Sequence, residues 1–158
     1  MSHDVRLRPS ARGPLVLVVD EELTRRSILS RMIRAFGYSV RNCPTSREAL
    51  QFLRDHPREV RLLIADLMLP GMDGGELVER ALDLDPTVRV LLTVDTDNPE
   101  AVELHAGYHD FAWVRKPITF SALANRLDEL FTRRPPPRYT SPMSPPARTW
   151  RRSGQFQA

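Results

Sequence analysis

The run from Val60 to Ala65 is apolar except for Arg61, stops at Asp66, and then turns through Pro70 and the glycines at 71, 74 and 75. A short apolar run of this kind reads as a strand covered on both faces, and such strands belong to parallel sheets packed between helices. A buried strand that ends in one acid and a tight loop delivers that carboxylate to the edge of the sheet, where open α/β folds bind ligands. Asp66 is therefore the candidate nucleophile.

A second solid apolar run, Pro14 to Val19, enters Asp20-Glu21-Glu22. From Leu23 to Phe36 the apolar positions 28, 29, 32, 33 and 36 fall at helical spacing, and Gly37 is a natural stop. Tyr38 to Val40 is a short strand candidate, and Thr45-Ser46-Arg47-Glu48 matches a capping box for a helix that runs to near Asp55. Val60 to Ala65 is the third strand, Glu76 to about Leu84 a short helix, and Val88 to Leu92 a fourth strand that Thr93 closes. Asn98-Pro99-Glu100 opens a further helix as cap, first-turn proline and favourable acid. Phe111 to Arg115 is the fifth strand, and Thr119 caps a last helix whose Leu123, Leu127, Leu130 and Phe131 share one face.

Strands alternating with helices in this way predict a doubly wound parallel α/β sheet. Right-handed crossovers put the C-terminal end of every strand on one edge. Asp20, Glu21, Asp66, Thr93 and Lys116 all stand just past strand ends, so they should converge into one pocket.

Composition bounds the setting. The length of 158 residues leaves room for one ordinary domain. The single cysteine, Cys43, has no internal partner, and neither an 18-residue apolar run nor a signal-peptide pattern is present. A cytoplasmic protein without a membrane segment is expected. The formal net charge of +3 conceals an acidic middle: residues 14–132 hold 14 basic and 19 acidic side chains, a net of −5. Residues 1–13 and 133–158 are basic, and the latter carry six of the 14 prolines, so both are expected to be disordered arms flanking a domain at 14–132.

Each site residue has a plainer reading when taken alone. Asp20 to Glu22 could be helix-start acids, Asp66 a loop starter, and Thr93 a strand-end or cap residue. The histidines at 3, 56, 105 and 109 show no ligand spacing and read as surface residues, and the glycines after Asp66 read as turn formers. In combination the picture changes. Val19-Asp20-Glu21, the stretch Asp66 to Gly74, Thr93, and Lys116-Pro117, in this order and at these separations, resemble the receiver domain of bacterial two-component response regulators over about residues 14–132.

The resemblance implies a flavodoxin-like five-stranded sheet of order 2-1-3-4-5, with Asp66 as phosphoacceptor for a histidine kinase or histidine phosphotransfer protein. Asp20, Glu21 and Asp66, with the backbone carbonyl of Met68, would hold Mg²⁺. Thr93 would be the switch hydroxyl and Lys116 the phosphate counter-ion, and Pro117 would follow a cis bond. Such a domain is a phosphoacceptor that assists its own chemistry rather than a conventional enzyme. The chemistry of these residue types agrees. Transfer of a phosphoryl group to a carboxylate is assisted chiefly by positioning and charge neutralisation, and Mg²⁺ favours oxygen ligands. Lys116 is the only lysine, the other 22 basic residues being arginine, so a compact ammonium stands where a phosphate would be met.

Three departures from the family pattern carry expectations. Val94 replaces the usual small residue after the switch threonine, and its branched side chain should crowd the entrance and slow transfer. Trp113 stands where many members have Tyr or Phe; the favoured reading makes it the aromatic switch, and the alternative is a ring locked in one orientation as core. The segment from Gly107 to Lys116 is about two residues longer than usual.

Output would pass through the fourth helix, fifth strand and fifth helix to an unknown downstream protein, since residues 133–158 are too few and too Pro-rich for a second core. Three alternatives stand beside this reading. The first is an interaction module of the same fold that works without phosphorylation. The second is nucleic-acid binding by the basic and aromatic residues Arg138, Tyr139, Arg148, Trp150, Arg151, Arg152 and Phe156. The third, a metal-dependent phosphatase, is disfavoured because Met68 stands where such enzymes place a second acid.

Overall fold

A computed structural model describes residues 13–132. Residues 1–12 and 133–158, with the expected arms and the nucleic-acid reading of the tail, lie outside the described residues.

Strands and helices alternate in the order β1 (Leu15–Val19), α1 (Leu23–Ala35), β2 (Ser39–Cys43), α2 (Ser46–Asp55), β3 (Val60–Asp66), α3 (Gly74–Leu84), β4 (Arg89–Val94), α4 (Pro99–Ala106), β5 (Trp113–Arg115) and α5 (Phe120–Thr132). The five strands are parallel in the order β2-β1-β3-β4-β5, as the family resemblance implies. The chain reverses its direction of winding between β1 and β3, and in such sheets the crevice beyond the strand ends at that point is the natural binding site.

Alternation along the strands divides the core in two. Val16, Val18, Leu62, Ile64, Leu91 and Val114 face Leu29 and Ile33 of α1 and Leu123 and Leu127 of α5. Leu17, Val19, Leu63, Ala65, Val90, Leu92 and Val94 face α2, α3 and α4 through Ala49, Leu50, Leu53, Leu77, Val78, Ala81 and Leu104. The side chains of Leu17, Ile33, Leu62, Leu63 and Ile64 are fully buried. Each such burial contributes about 1.5–3 kcal/mol, which fixes the strand register on which the site depends.

Side-chain caps set the helix starts. The Glu22 carboxylate accepts from the Thr24 and Arg25 amides at 2.9 and 2.7 Å, and Thr45 Oγ1 accepts from the Glu48 amide at 3.1 Å. Asp73 and Asn98 accept from Glu76 N and Glu100 N at 2.9 and 3.0 Å, and Thr119 Oγ1 from Ala122 N at 3.1 Å.

Several element ends differ from the sequence-based expectation. β2 runs on through Arg41 and Asn42 to Cys43, because an edge strand tolerates polar residues that periodicity reads as loop. β4 runs past Leu92 to Val94, and β5 begins only at Trp113.

Helix α3 begins at Gly74, capped by Asp73, so Gly74 and Gly75 are buried helix residues rather than turn formers. A side-chain carbon on Gly74 would lie 2.3 Å from the Asp66 carbonyl oxygen, and one on Gly75 would enter the Tyr108 ring. Only glycine lets α3 approach the end of β3 this closely. Gly71, with φ of +80°, is the true turn former of this loop.

Candidate functional site

The strand ends do bring Asp20, Asp66, Thr93 and Lys116 to one edge. Asp20 follows β1, Asp66 is the last residue of β3 and is paired in register with Thr93 of β4, and Lys116 follows β5. The side chains of Asp20 and Asp66 are buried at 7 % and 2 % exposure, and Thr93 is buried beside them in the sheet. The Lys116 amide donates to the Val94 carbonyl at 2.9 Å, which ties the loop after β5 to the end of β4. The Lys116-Pro117 peptide is cis.

Asp66 is held by two close donors and faces a more distant guanidinium. Lys116 Nζ lies 2.8 Å from Oδ2, the Met68 amide donates to Oδ1 at 3.1 Å, and Arg25 Nη2 lies 3.7 Å from Oδ2. A carboxylate this deeply buried is tolerated only with such compensation. Asp20 is held more tightly still. Its Oδ2 accepts from Arg25 Nε at 3.1 Å, and its Oδ1 accepts from Arg25 Nη2 at 3.0 Å and from the Glu22 amide at 2.9 Å. Arg26 Nη1 donates to the Asp20 backbone carbonyl at 2.6 Å. Its bonds to Asp20 hold the Arg25 guanidinium even more firmly in its charged form.

Arg25 was not among the residues singled out from the sequence, and its signal was faint but readable. It lies in the first turn of α1, which contains no acid, where the helix dipole disfavours a cation. A basic residue there needs an anionic partner beyond its own helix, and Asp20 is that partner.

Glu21 is exposed, and Met68 is half-buried in the loop after Asp66. Trp113 is half-buried at the start of β5, packed on the core, with the His105 ring edge-on at 4.6 Å between centroids. Val94 is fully buried in the core facing α2, α3 and α4. The cause is the extra length of β4: once the strand reaches Val94, alternation sends that side chain the way of Val90 and Leu92.

Nor are all the histidines plain surface residues. His56 stacks on Phe52 at 4.0 Å, and His105 has Nε2 buried with no hydrogen-bond partner among the described residues. Cys43 is buried and unpaired, and its burial pushes the thiol pKa up, so it is poorly reactive.

Among the described residues no three His, Cys, Asp or Glu side chains stand together as a ready metal site. The donors nonetheless suit a hard divalent cation such as Mg²⁺, which takes one or two carboxylates and completes its shell with water and substrate oxygens. Both buried carboxylates are oxygen donors that face one point, marked by Arg25 Nη2 at 3.0 Å from Asp20 Oδ1 and 3.7 Å from Asp66 Oδ2.

Residues 16–128 match the response regulator receiver domain family. Residues of this chain are 32 % identical over 115 positions to the two-component response regulator ORR26 of Oryza sativa subsp. japonica, a match covering 72 % of this chain and 19 % of that protein. The chain spans about a fifth of the length of such curated relatives. Among solved structures, the receiver domain of the hybrid histidine kinase CckA is 29 % identical, with a TM-score of 0.61 over 73 % of this chain and 97 % of that one. The receiver domain of Ssk1 from Saccharomyces cerevisiae, solved in complex with the histidine phosphotransfer protein Ypd1, shares the fold at 18 % identity, with a TM-score of 0.63 over 75 % of this chain and 89 % of that one.

Proposed function

The chain belongs to the response regulator receiver domain family, and from that membership we propose that Asp66 accepts a phosphoryl group from a phosphohistidine of a kinase or phosphotransfer protein. The observation that carries this reading is the Lys116 ammonium 2.8 Å from a carboxylate that is 2 % exposed at the end of the central strand. A carboxylate oxygen of Asp66 attacks phosphorus, the P–N bond breaks, and the imidazole leaves with the bonding electron pair. Lys116 moves its charge from the carboxylate to a phosphoryl oxygen, and the Thr93 hydroxyl donates a hydrogen bond to another. Burial of the site on the sheet edge keeps these donors in place before transfer.

Asp20, Glu21 and Asp66, with the Met68 carbonyl, would hold Mg²⁺, whose chemistry is to neutralise the phosphoryl oxygens and align the donor. The domain is in this reading a phosphoacceptor and not a conventional enzyme. The exposed apolar side chain of Leu23, at the start of α1 just past the Asp20 loop, suits contact with the phosphohistidine donor. The output face is α4, β5 and α5, where Thr93 and Trp113 form the switch and an unidentified protein reads the change. Among the described residues no helix is long and apolar enough to cross a membrane. With its one cysteine unpaired, the chain suits the reducing cytoplasm.

The test is intact mass after incubation with Mg²⁺ and a small acyl phosphate or phosphoramidate, with Asp66→Asn as control. One added phosphoryl group, lost in the variant, is expected. A chain that gains no mass from either donor would instead be an interaction module of this fold.

A further inference from the structure

Arg25 stands in the place that a cation shared by Asp20 and Asp66 would take. Its Nε and Nη2 occupy both oxygens of Asp20 at 3.1 and 3.0 Å, while Nη2 also reaches toward Asp66 at 3.7 Å. The Glu22 amide uses a further lone pair of Asp20 Oδ1. A Mg²⁺ ion bonds oxygen at about 2.0–2.1 Å and demands near-octahedral geometry, so it and a guanidinium cannot share these oxygens at close quarters. Two like charges about 4 Å apart also repel, by an amount that solvent reduces at a partly exposed group.

Arg25 has somewhere else to go. Its side chain is 47 % exposed, and Glu22 Oε2 lies 3.8 Å from Nε on the solvent side. Its position in the first turn of α1 costs the helix dipole something, so the guanidinium is kept inward by Asp20 and not by its own helix.

Resting on the phosphoacceptor reading above, we propose that Arg25 is a built-in counter-ion of the phosphoryl site, exclusive with the divalent cation at Asp20. Mg²⁺ enters only as the guanidinium swings out toward Glu22. Arg25 thereby lowers the affinity of the site for Mg²⁺ while keeping the two buried carboxylates neutralised without it. It is a positioning residue: it acts on the cation and on Asp20, not on the transferred group.

The full chain is titrated with Mg²⁺ by calorimetry, as wild type, Arg25→Met, Arg25→Lys and Arg31→Met, the last removing an exposed α1 charge as control. Arg25→Met should bind Mg²⁺ about tenfold more tightly than wild type, Arg25→Lys should fall between them, and Arg31→Met should match wild type. Melting provides the second readout. Without Mg²⁺ the Met variant should melt lower than wild type, because Asp20 loses its partner, and added Mg²⁺ should raise its melting temperature by more than it raises that of wild type. Equal or weaker Mg²⁺ binding by Arg25→Met, or an equal gain in Arg31→Met, would overturn the proposal. These titrations need no phosphoryl transfer, so a failure of Asp66 to be phosphorylated leaves their result standing. Conversely, phosphorylation of Asp66 with unchanged Mg²⁺ affinity in Arg25→Met removes this inference alone.

Discussion

The chemistry of the site turns on two cations of different kinds. Lys116 is a compact charge on a flexible stem, 19 % exposed, and it can follow an oxygen from the carboxylate of Asp66 to a phosphoryl group. Arg25 is a planar fork already committed to both oxygens of Asp20. Lysine and arginine are thus not interchangeable here, and Lys116→Arg should behave like a loss. Lys116→Met should slow phosphorylation of Asp66 about 100-fold, and Lys116→Arg should recover only a small part of that. Time courses of intact mass with a small phosphoryl donor measure both, and a Lys116→Arg rate equal to wild type would contradict the argument. Lys116 was legible in the sequence because it is the only lysine and lies at a strand end. Arg25 left only a faint signal, a cation in a helix first turn without acids, because what places it is the reach of a long side chain back across a loop, which no spacing rule encodes.

At the level of elements, the strand cores were readable because nearly continuous apolar runs have no other stable home, whereas their ends were not. The end of β4 decides where Val94 points, and its two extra residues place that side chain in the core. The start of α3 was hidden by Gly74 and Gly75, poor helix formers whose place is set by the closeness of Asp66 and Tyr108 and not by propensity. The packing of α4 on β5 was equally hidden, since it rests on the ring of His105 against Trp113. Burial, with the nearby His109 adding to it, pushes the His105 imidazole below its ordinary 6.5. The unfolded chain therefore binds this proton more readily than the folded one, so the stabilisation is complete above about pH 6.5 and is lost as pH falls below it. His105→Gln removes the effect. In denaturant unfolding between about pH 7.5 and 5, the stability of wild type relative to this variant should fall steadily as the solution is acidified. A gap that stays constant across that range would show that the His105 side chain does not titrate against the fold.

For the molecule as a whole, both cores and every residue of the site lie within 13–132, and the sheet is flanked by helices on both faces inside that span. The alternation of runs made this architecture legible from the outset, while the relation of the basic ends to the acidic body, at a net of −5 over residues 14–132, was open. Two outcomes are physically distinct. If the ends pair with the body, the pairing is between exposed charges and weakens as salt shortens the screening length from about 10 Å at 0.1 M to about 3 Å at 1 M. A chain cut to residues 13–132 would then melt below the full chain at low salt, and the difference would vanish at high salt. If the body's stability comes from its two cores alone, the cut chain melts with the full chain at every salt concentration and is phosphorylated on Asp66 at the same rate. The second outcome is expected, because exposed ion pairs contribute at most about 1 kcal/mol each, whereas the closed cores on each face bury side chains from all ten elements and hold the strand ends that carry Asp20, Asp66 and Lys116. Paired melting curves of the two chains at low and high salt, with phosphorylation time courses alongside, decide between them.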